Sequence, residues 1–322
     1  MKELNMPQFV NNLVSYLIGI KDLSEIYAHN MTITIKQFLE FINVHKLKNK
    51  YNSIEDFTLN DIRSLSNSDI YSFIYFLAES HYKTNSRVVK TEHLKTFFNY
   101  LFTIKETIFT QPFRKIKTDR KAEEKLPSYL SLDESKRLLN VYADSTKKTD
   151  IRNNAIIYLF LNCGLRLSEM SNLNIDDFNF SENKFIIFGK GKKERTGYLN
   201  KPTREALKKY LEYRNTLIDI TKEDSNALFL SKQYGTYKRL STSALKKLVN
   251  KAYLEAGIFN DSYSTHTLRH TCATLLYKYG NVNIRTIQEL LRTFKNRYNC
   301  YIYSFARWRS WKNNENSSII TI

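Results

Sequence analysis

The sequence predicts a mainly α protein with one small β-hairpin sheet, an α+β fold in two parts. Three observations carry this. Apolar residues recur at three- and four-residue spacing through most of the chain. Only 8 Gly and 4 Pro interrupt 322 residues, of which 42% are hydrophobic. One stretch alone, 184–199, reads as strand, glycine-rich turn and returning strand.

From residue 7 to 110 the pattern is helical throughout. Phe9, Leu13, Tyr16 and Leu17 make one stripe, and Ile35, Phe38, Leu39 and Ile42 a second. A third runs through Ile70, Phe73, Ile74 and Leu77, and a fourth, over 88–101, turns Leu94, Phe97, Phe98 and Leu101 inward. Helices joined by short polar segments predict a small bundle. Its basic residues Arg87, Lys90 and Lys95 stand among Tyr and Asn, a mixture suited to phosphate contacts. Gln111-Pro112 ends the last helix, and 113–125 is charged and aperiodic, which reads as a linker. The expected organisation is a helical domain over 1–112, the linker, a second domain over 126–291 and an atypical tail over 292–322.

The second domain opens on Ser131-Leu132-Asp133-Glu134, a capping sequence. Asp150 is the expected cap of a helix that stops at Cys163-Gly164. Leu165-Arg166-Leu167-Ser168-Glu169 then places Arg166 in the turn before a new helix. Lys184-to-Phe188 and 195–199 form the expected hairpin. Its tip, Gly189-Lys190-Gly191-Lys192-Lys193, can bring an ammonium close to a phosphate. Helices follow over 203–216, from Ser241 or Thr242 to Glu255, and over 282–291. Between the last two lies Ser264-Thr265-His266-Thr267-Leu268-Arg269-His270, a helix start with Leu268, Cys272 and Leu275 on its apolar side. His266 and Arg269, three apart, share a face, and a guanidinium beside an imidazole near helix amides suits an anion.

Lys and Arg number 50 against 32 acids, a net charge of +18, which points to a polyanionic partner. Cys163, Cys272 and Cys300 have no metal-ligand spacing, so neither a metal site nor a disulfide framework is expected. No apolar run approaches the roughly 20 residues of a membrane span, and Met1-Lys2-Glu3-Leu4-Asn5 does not open a signal peptide. A soluble cytoplasmic, nucleoid-associated protein with no membrane contact is expected.

Arg166, Lys190 and His266-x-x-Arg269 stand in one recognisable order. With Leu126-Pro127, Gly164 to Glu169, Phe188 to Arg195 and Leu228-Phe229-Leu230-Ser231, the second domain resembles the catalytic domain of tyrosine recombinases of the phage-integrase type. The N-terminal bundle is similar to that family's SAM-like core-binding domain. The resemblance implies a site-specific recombinase that cuts and rejoins duplex DNA through a 3′-phosphotyrosyl intermediate. Bond energy is conserved, so no cofactor is implied. The implied partners are double-stranded DNA and further protomers in a tetrameric synapse. Arg166 and Arg269 would hold the non-bridging oxygens, His266 would hydrogen-bond the same phosphate, and Lys190 would protonate the leaving 5′-oxygen. Glu169 would orient its neighbours, His270 would be structural, and Lys192 and Lys193 would contact DNA with the basic residues of the bundle.

The match ends after Leu290-Leu291. There the family continues with Gly-His and later Ile-Tyr-Thr-His, while this chain reads Arg292-Thr293-Phe294 and ends the motif region in Tyr301-Ile302-Tyr303-Ser304. Tyr303 has the better local match to the nucleophile and Tyr301 is the alternative, each one residue off the expected spacing. Thr-Phe can be encoded ACA-TTC, which read one base on gives CAT, histidine. With allowed codons throughout, 292–305 so displaced can read Gly-His-Ser-Lys-Ile-Asp-Thr-Thr-Ala-Ile-Tyr-Thr-His-Leu. A frameshift near Leu291 is therefore expected to have replaced the C-terminal motif. The alternative function is then a DNA-binding protein on the same scaffold that no longer cuts.

Overall fold

The computed structural model describes residues 5–104, 128–189 and 194–292. The chain divides into two compact units, 1–124 and 125–322. The first is helical: α1 (Gln8–Gly19), α2 (Glu25–His45), α3 (Leu59–Arg63), α4 (Asn67–Glu79) and α5 (Thr84–Asn99), followed by a π-helical turn over Tyr100–Ile104. All four apolar stripes point inward, with Leu13, Ile35, Phe73, Leu94 and Phe97 fully buried. The short helix α3 has no stripe of its own and was not expected. It exists because Thr58 and Asp61 form a capping box whose carboxylate also accepts from Tyr51 Oη at 2.7 Å.

The second unit runs α6 (Leu132–Asn140), α7 (Lys148–Cys163), α8 (Leu167–Asn172), β1 (Phe178–Asn179), β2 (Lys184–Phe188), β3 (Glu194–Tyr198), α9 (Lys201–Arg214), β4 (Leu230–Gln233), β5 (Thr236–Arg239), α10 (Thr242–Glu255), α11 (Thr265–Lys278) and α12 (Ile284–Leu291). Strands β1–β3 form an antiparallel sheet with Phe185 opposite Gly197 and Ile187 opposite Arg195. The core wraps α7, whose Ile156, Leu159 and Phe160 are fully buried, with Leu207, Leu245 and Leu268 packed around it.

Several expectations are corrected. Asp150 does not cap α7: the helix begins after Lys147, and Asp150 sits in its first turn, accepting from Ser145 Oγ at 2.8 Å. Helix α9 starts at Lys201, not 203, because Asn200 accepts the Thr203 N–H and Pro202 fits the first turn. The sheet gains a third strand, β1, and a second hairpin, β4–β5, turns at Tyr234 (φ 49°) and Gly235 (φ 88°). The returning strand, expected over 195–199, runs over Glu194–Tyr198 instead.

Candidate active site

Gly164 sets the site's floor. It ends α7 in the left-handed conformation (φ 58°), and a Cβ there would lie 2.6 Å from Leu291 Cδ2 and 3.2 Å from Cys272 Sγ. Only glycine allows both the turn and this approach of α11 and α12. Two residues on, Arg166 precedes the first residue of α8, and Glu169 reaches back to accept its N–H at 2.9 Å. The same buried carboxylate accepts from the Arg166 guanidinium at 2.5 Å and from Arg195 Nη2 on β3 at 2.9 Å. Arg269, on α11, comes within 3.8 Å of it. One carboxylate thus faces three guanidiniums.

The remaining donors go to one place. Arg195 donates to the Leu290 carbonyl at 2.7 Å, Arg269 to that of Leu291, and Arg166 to that of Arg292 at 3.1 Å. These are consecutive carbonyls at the C-terminal end of α12, the negative end of the helix dipole. Arg269 donates also to the Gly164 carbonyl. Among the described residues one carboxylate meets three guanidiniums and backbone oxygens take their remaining donors, in a cluster where an anion would meet them better.

The side chains differ in access. Arg269 is 1% exposed, whereas the Arg166 side chain is 37% exposed and His266 lies at the surface. On α11, Arg269 turns inward to Gly164 and Leu291, and His266, three residues before it, is exposed yet close enough to feel its charge. Burial alone would raise the Glu169 carboxyl, but the Arg195 charge and the hydrogen bonds from Arg166 and Arg195 hold it below the usual carboxylate range. Burial, then the Arg269 and Arg166 charges, lower His266, so it is neutral at pH 7 and can donate one N–H to a phosphate oxygen.

His270 lies edge-on to His266, ring centroids 5.7 Å apart, and burial followed by the charges of His266 and Arg269 bring it down to about 4. A histidine depressed in the fold destabilises it as pH falls from the unfolded value, about 6.5, toward the folded one, because the unfolded chain takes up the proton first. The chain should therefore lose on the order of 2 kcal/mol between pH 7 and 4 through this residue. Denaturant unfolding at both pH values should show a smaller loss in His270→Gln. An equal loss in both chains contradicts it.

Of the other candidates, Lys90 donates to Gln37 Oε1 at 2.7 Å and lies over the Tyr82 ring, and Arg87 reaches Thr84. Both are in the first unit, as is Lys95. Lys190, Lys192, Lys193, Tyr301 and Tyr303 lie outside the described residues. Sequence reasoning missed Arg195 as a site residue, and no motif marks the three carbonyls. No group of His, Cys, Asp or Glu that could hold a metal is present among the described residues, and none of their helices is long and apolar enough to cross a membrane.

This arginine cluster sits in a region with clear relatives. Residues 128–297 match the sequence profile of the phage integrase family. The chain belongs to the phage integrase family. Tyrosine recombinase XerC of Caldanaerobacter subterraneus subsp. tengcongensis is 36% identical over 305 residues, covering 90% of this phage integrase and 81% of that protein. Tyrosine recombinase XerD of Oceanobacillus iheyensis is 35% identical over 229 residues, covering 70% and 73%. Among solved structures, the XerH site-specific recombinase bound to palindromic difH substrate matches with a TM-score of 0.67 at 20% identity, covering 98% of this chain and 99% of that one. A lambda integrase dimer bound to a core site matches at 0.62 and 14%, covering 89% and 94%. The mainly helical fold with small antiparallel sheets is that of this integrase family, and the chain is a tyrosine recombinase by descent.

Proposed function

We propose that the second unit grips one phosphodiester of duplex DNA for strand cleavage and rejoining in site-specific recombination. The observation that carries this is the Arg166–Arg195–Arg269 cluster, two of its members buried, gathered around the single carboxylate of Glu169 among the described residues. Phosphate oxygens would replace the Arg292 and Leu291 carbonyls as acceptors of Arg166 and Arg269, a stronger charge-assisted pairing. Those guanidiniums then stabilise the extra negative charge of the phosphorane-like transition state. A tyrosine oxygen bonds to phosphorus, giving up its phenolic proton to solvent, as the bond to the 5′-oxygen breaks. His266 donates a hydrogen bond to the phosphate, and Lys190 supplies the proton to the 5′-oxygen. The relatives are tyrosine recombinases, and the structural neighbours include recombinases bound to DNA, which supports DNA as the substrate.

A second reading concerns the end of the chain, and Arg292 favours it. Arg292 closes α12 in the left-handed conformation (φ 48°, ψ 59°), and its Nη1 is buried without a hydrogen-bond partner among the described residues. A bulky residue there costs about 1 kcal/mol relative to glycine. The displaced reading frame puts glycine at this position. On this reading the chain as written binds DNA on an intact scaffold but has lost its nucleophile through a frameshift after Leu291.

Both readings require salt-sensitive duplex binding, which follows from the +18 charge. Affinity should fall about a thousand-fold or more between 50 and 200 mM salt if six or more phosphates are contacted. Fluorescence anisotropy on a labelled duplex measures it, and affinity indifferent to salt rejects DNA as the partner.

A further inference from the structure

We propose that Arg195 is a positioning residue of the phosphate site, bridging Glu169 and the end of α12 so that Arg166 and Arg269 meet the phosphate in a preset geometry. The inference rests on the phosphodiester reading above. The Arg195 side chain is 7% exposed, and its two terminal nitrogens are committed to Glu169 Oε2 at 2.9 Å and the Leu290 carbonyl at 2.7 Å. It is thus too enclosed to touch DNA itself. Its Nε is buried with no hydrogen-bond partner among the described residues. A buried donor left unmet is costly, so this guanidinium is held for its bridge and not for its own satisfaction.

The bridge has a geometric consequence. Glu169 Oε2 accepts from both Arg195 and the Arg166 N–H, with Arg269 waiting at 3.8 Å. Without Arg195, that oxygen is free to turn to Arg269 and draw it from the Gly164 and Leu291 carbonyls. Arg195 also ties β3, the strand paired with β2, to the end of α12 and pins Leu290 just before the carbonyls that Arg269 and Arg166 hold. Only a planar fork can serve carboxylate and carbonyl together; an ammonium keeps the charge and loses the geometry.

The test reads a single phosphate. A duplex selected from random-sequence DNA for binding to the full chain is remade as a series, each member carrying one neutral methylphosphonate. The wild-type chain should show one position where neutralisation weakens binding about 10-fold or more, as expected for a charge-assisted contact. Arg166→Lys, which alters the direct contact, should flatten that position. Arg195→Lys should flatten it too, with affinity for the unmodified duplex falling by about the factor that position is worth while the other positions keep their pattern. A merely structural loss would lower all positions together. Arg195→Gln, which can hold one partner but not both, serves as the second variant and should give the same flattening. If both Arg195 variants retain the wild-type penalty at that position, the positioning role is wrong and the phosphate reading stands. If the wild-type chain binds the duplex but shows no such position, the phosphate reading itself fails and the inference with it.

Discussion

Arg166→Lys and Arg269→Lys should each lower single-turnover strand cleavage by about 100- to 1,000-fold in a chain whose end carries the displaced-frame sequence. Duplex affinity should fall far less, by about the 10-fold that one phosphate contact is worth, because the many other phosphate contacts are untouched. The reason is geometric. Arg166 holds Glu169 at 2.5 Å with one nitrogen and the Arg292 carbonyl at 3.1 Å with another. A lysine ammonium cannot reproduce the fork that presents paired donors to two phosphate oxygens. The two substitutions should differ in stability. Arg269 is 1% exposed and leaves the Gly164 and Leu291 carbonyls unmet when shortened, a loss on the order of 2 kcal/mol. Arg166 is 37% exposed and should cost less. Cleavage that is unchanged while binding weakens would remove both residues from the phosphate clamp.

Arg292 gives the second prediction. A left-handed cap at φ 48° accepts glycine freely, so Arg292→Gly should stabilise the chain by about 1 kcal/mol. It should also remove the buried Nη1 nitrogen, which has no hydrogen-bond partner among the described residues. A destabilising Arg292→Gly would mean that the arginine side chain supports the end of α12. The same glycine is the first residue of the displaced-frame string, followed by histidine and, nine residues later, tyrosine. The nucleotide sequence across codons 288–306 should therefore encode Gly-His and Ile-Tyr-Thr-His one base on.

Much of this was legible in the residues. Ser131 and Glu134 announced a capping box, and the structure has it, with Ser131 Oγ accepting from Glu134 N–H. Gly164 after Cys163 announced a helix end, and its left-handed φ is the reason. The hairpin showed in Phe185 and Ile187, which are buried while Ile186 and Phe188 face outward. The β4–β5 hairpin was hidden because Ser231, Lys232 and Gln233 carry no alternation, and Tyr234-Gly235 is not the Asn-Gly pair that marks such turns. Arg195 was hidden for another reason. Among Lys190, Lys192 and Lys193 a further cation reads as solvated, and only the fold shows that it points inward to Glu169. The carbonyls of Leu290, Leu291 and Arg292 had no signal at all, since every residue has one. The inward turn of Arg269 was missed because helical spacing fixes a residue's face and not the depth of its neighbours.

The most direct measurement is covalent trapping. The full chain and a version with 292–305 replaced by Gly-His-Ser-Lys-Ile-Asp-Thr-Thr-Ala-Ile-Tyr-Thr-His-Leu are incubated with a nicked duplex built on a selected binding site. Denaturing gels then count protein–DNA adducts. The account predicts that the replaced chain accumulates adducts through the tyrosine at position 302, and that the chain as written forms few or none while binding the same duplex. Adducts formed equally by the chain as written would overturn the displaced-frame reading. Tight binding with no adduct from the replaced chain would contradict the claim that Arg166, Arg269 and their partners form a working cleavage site.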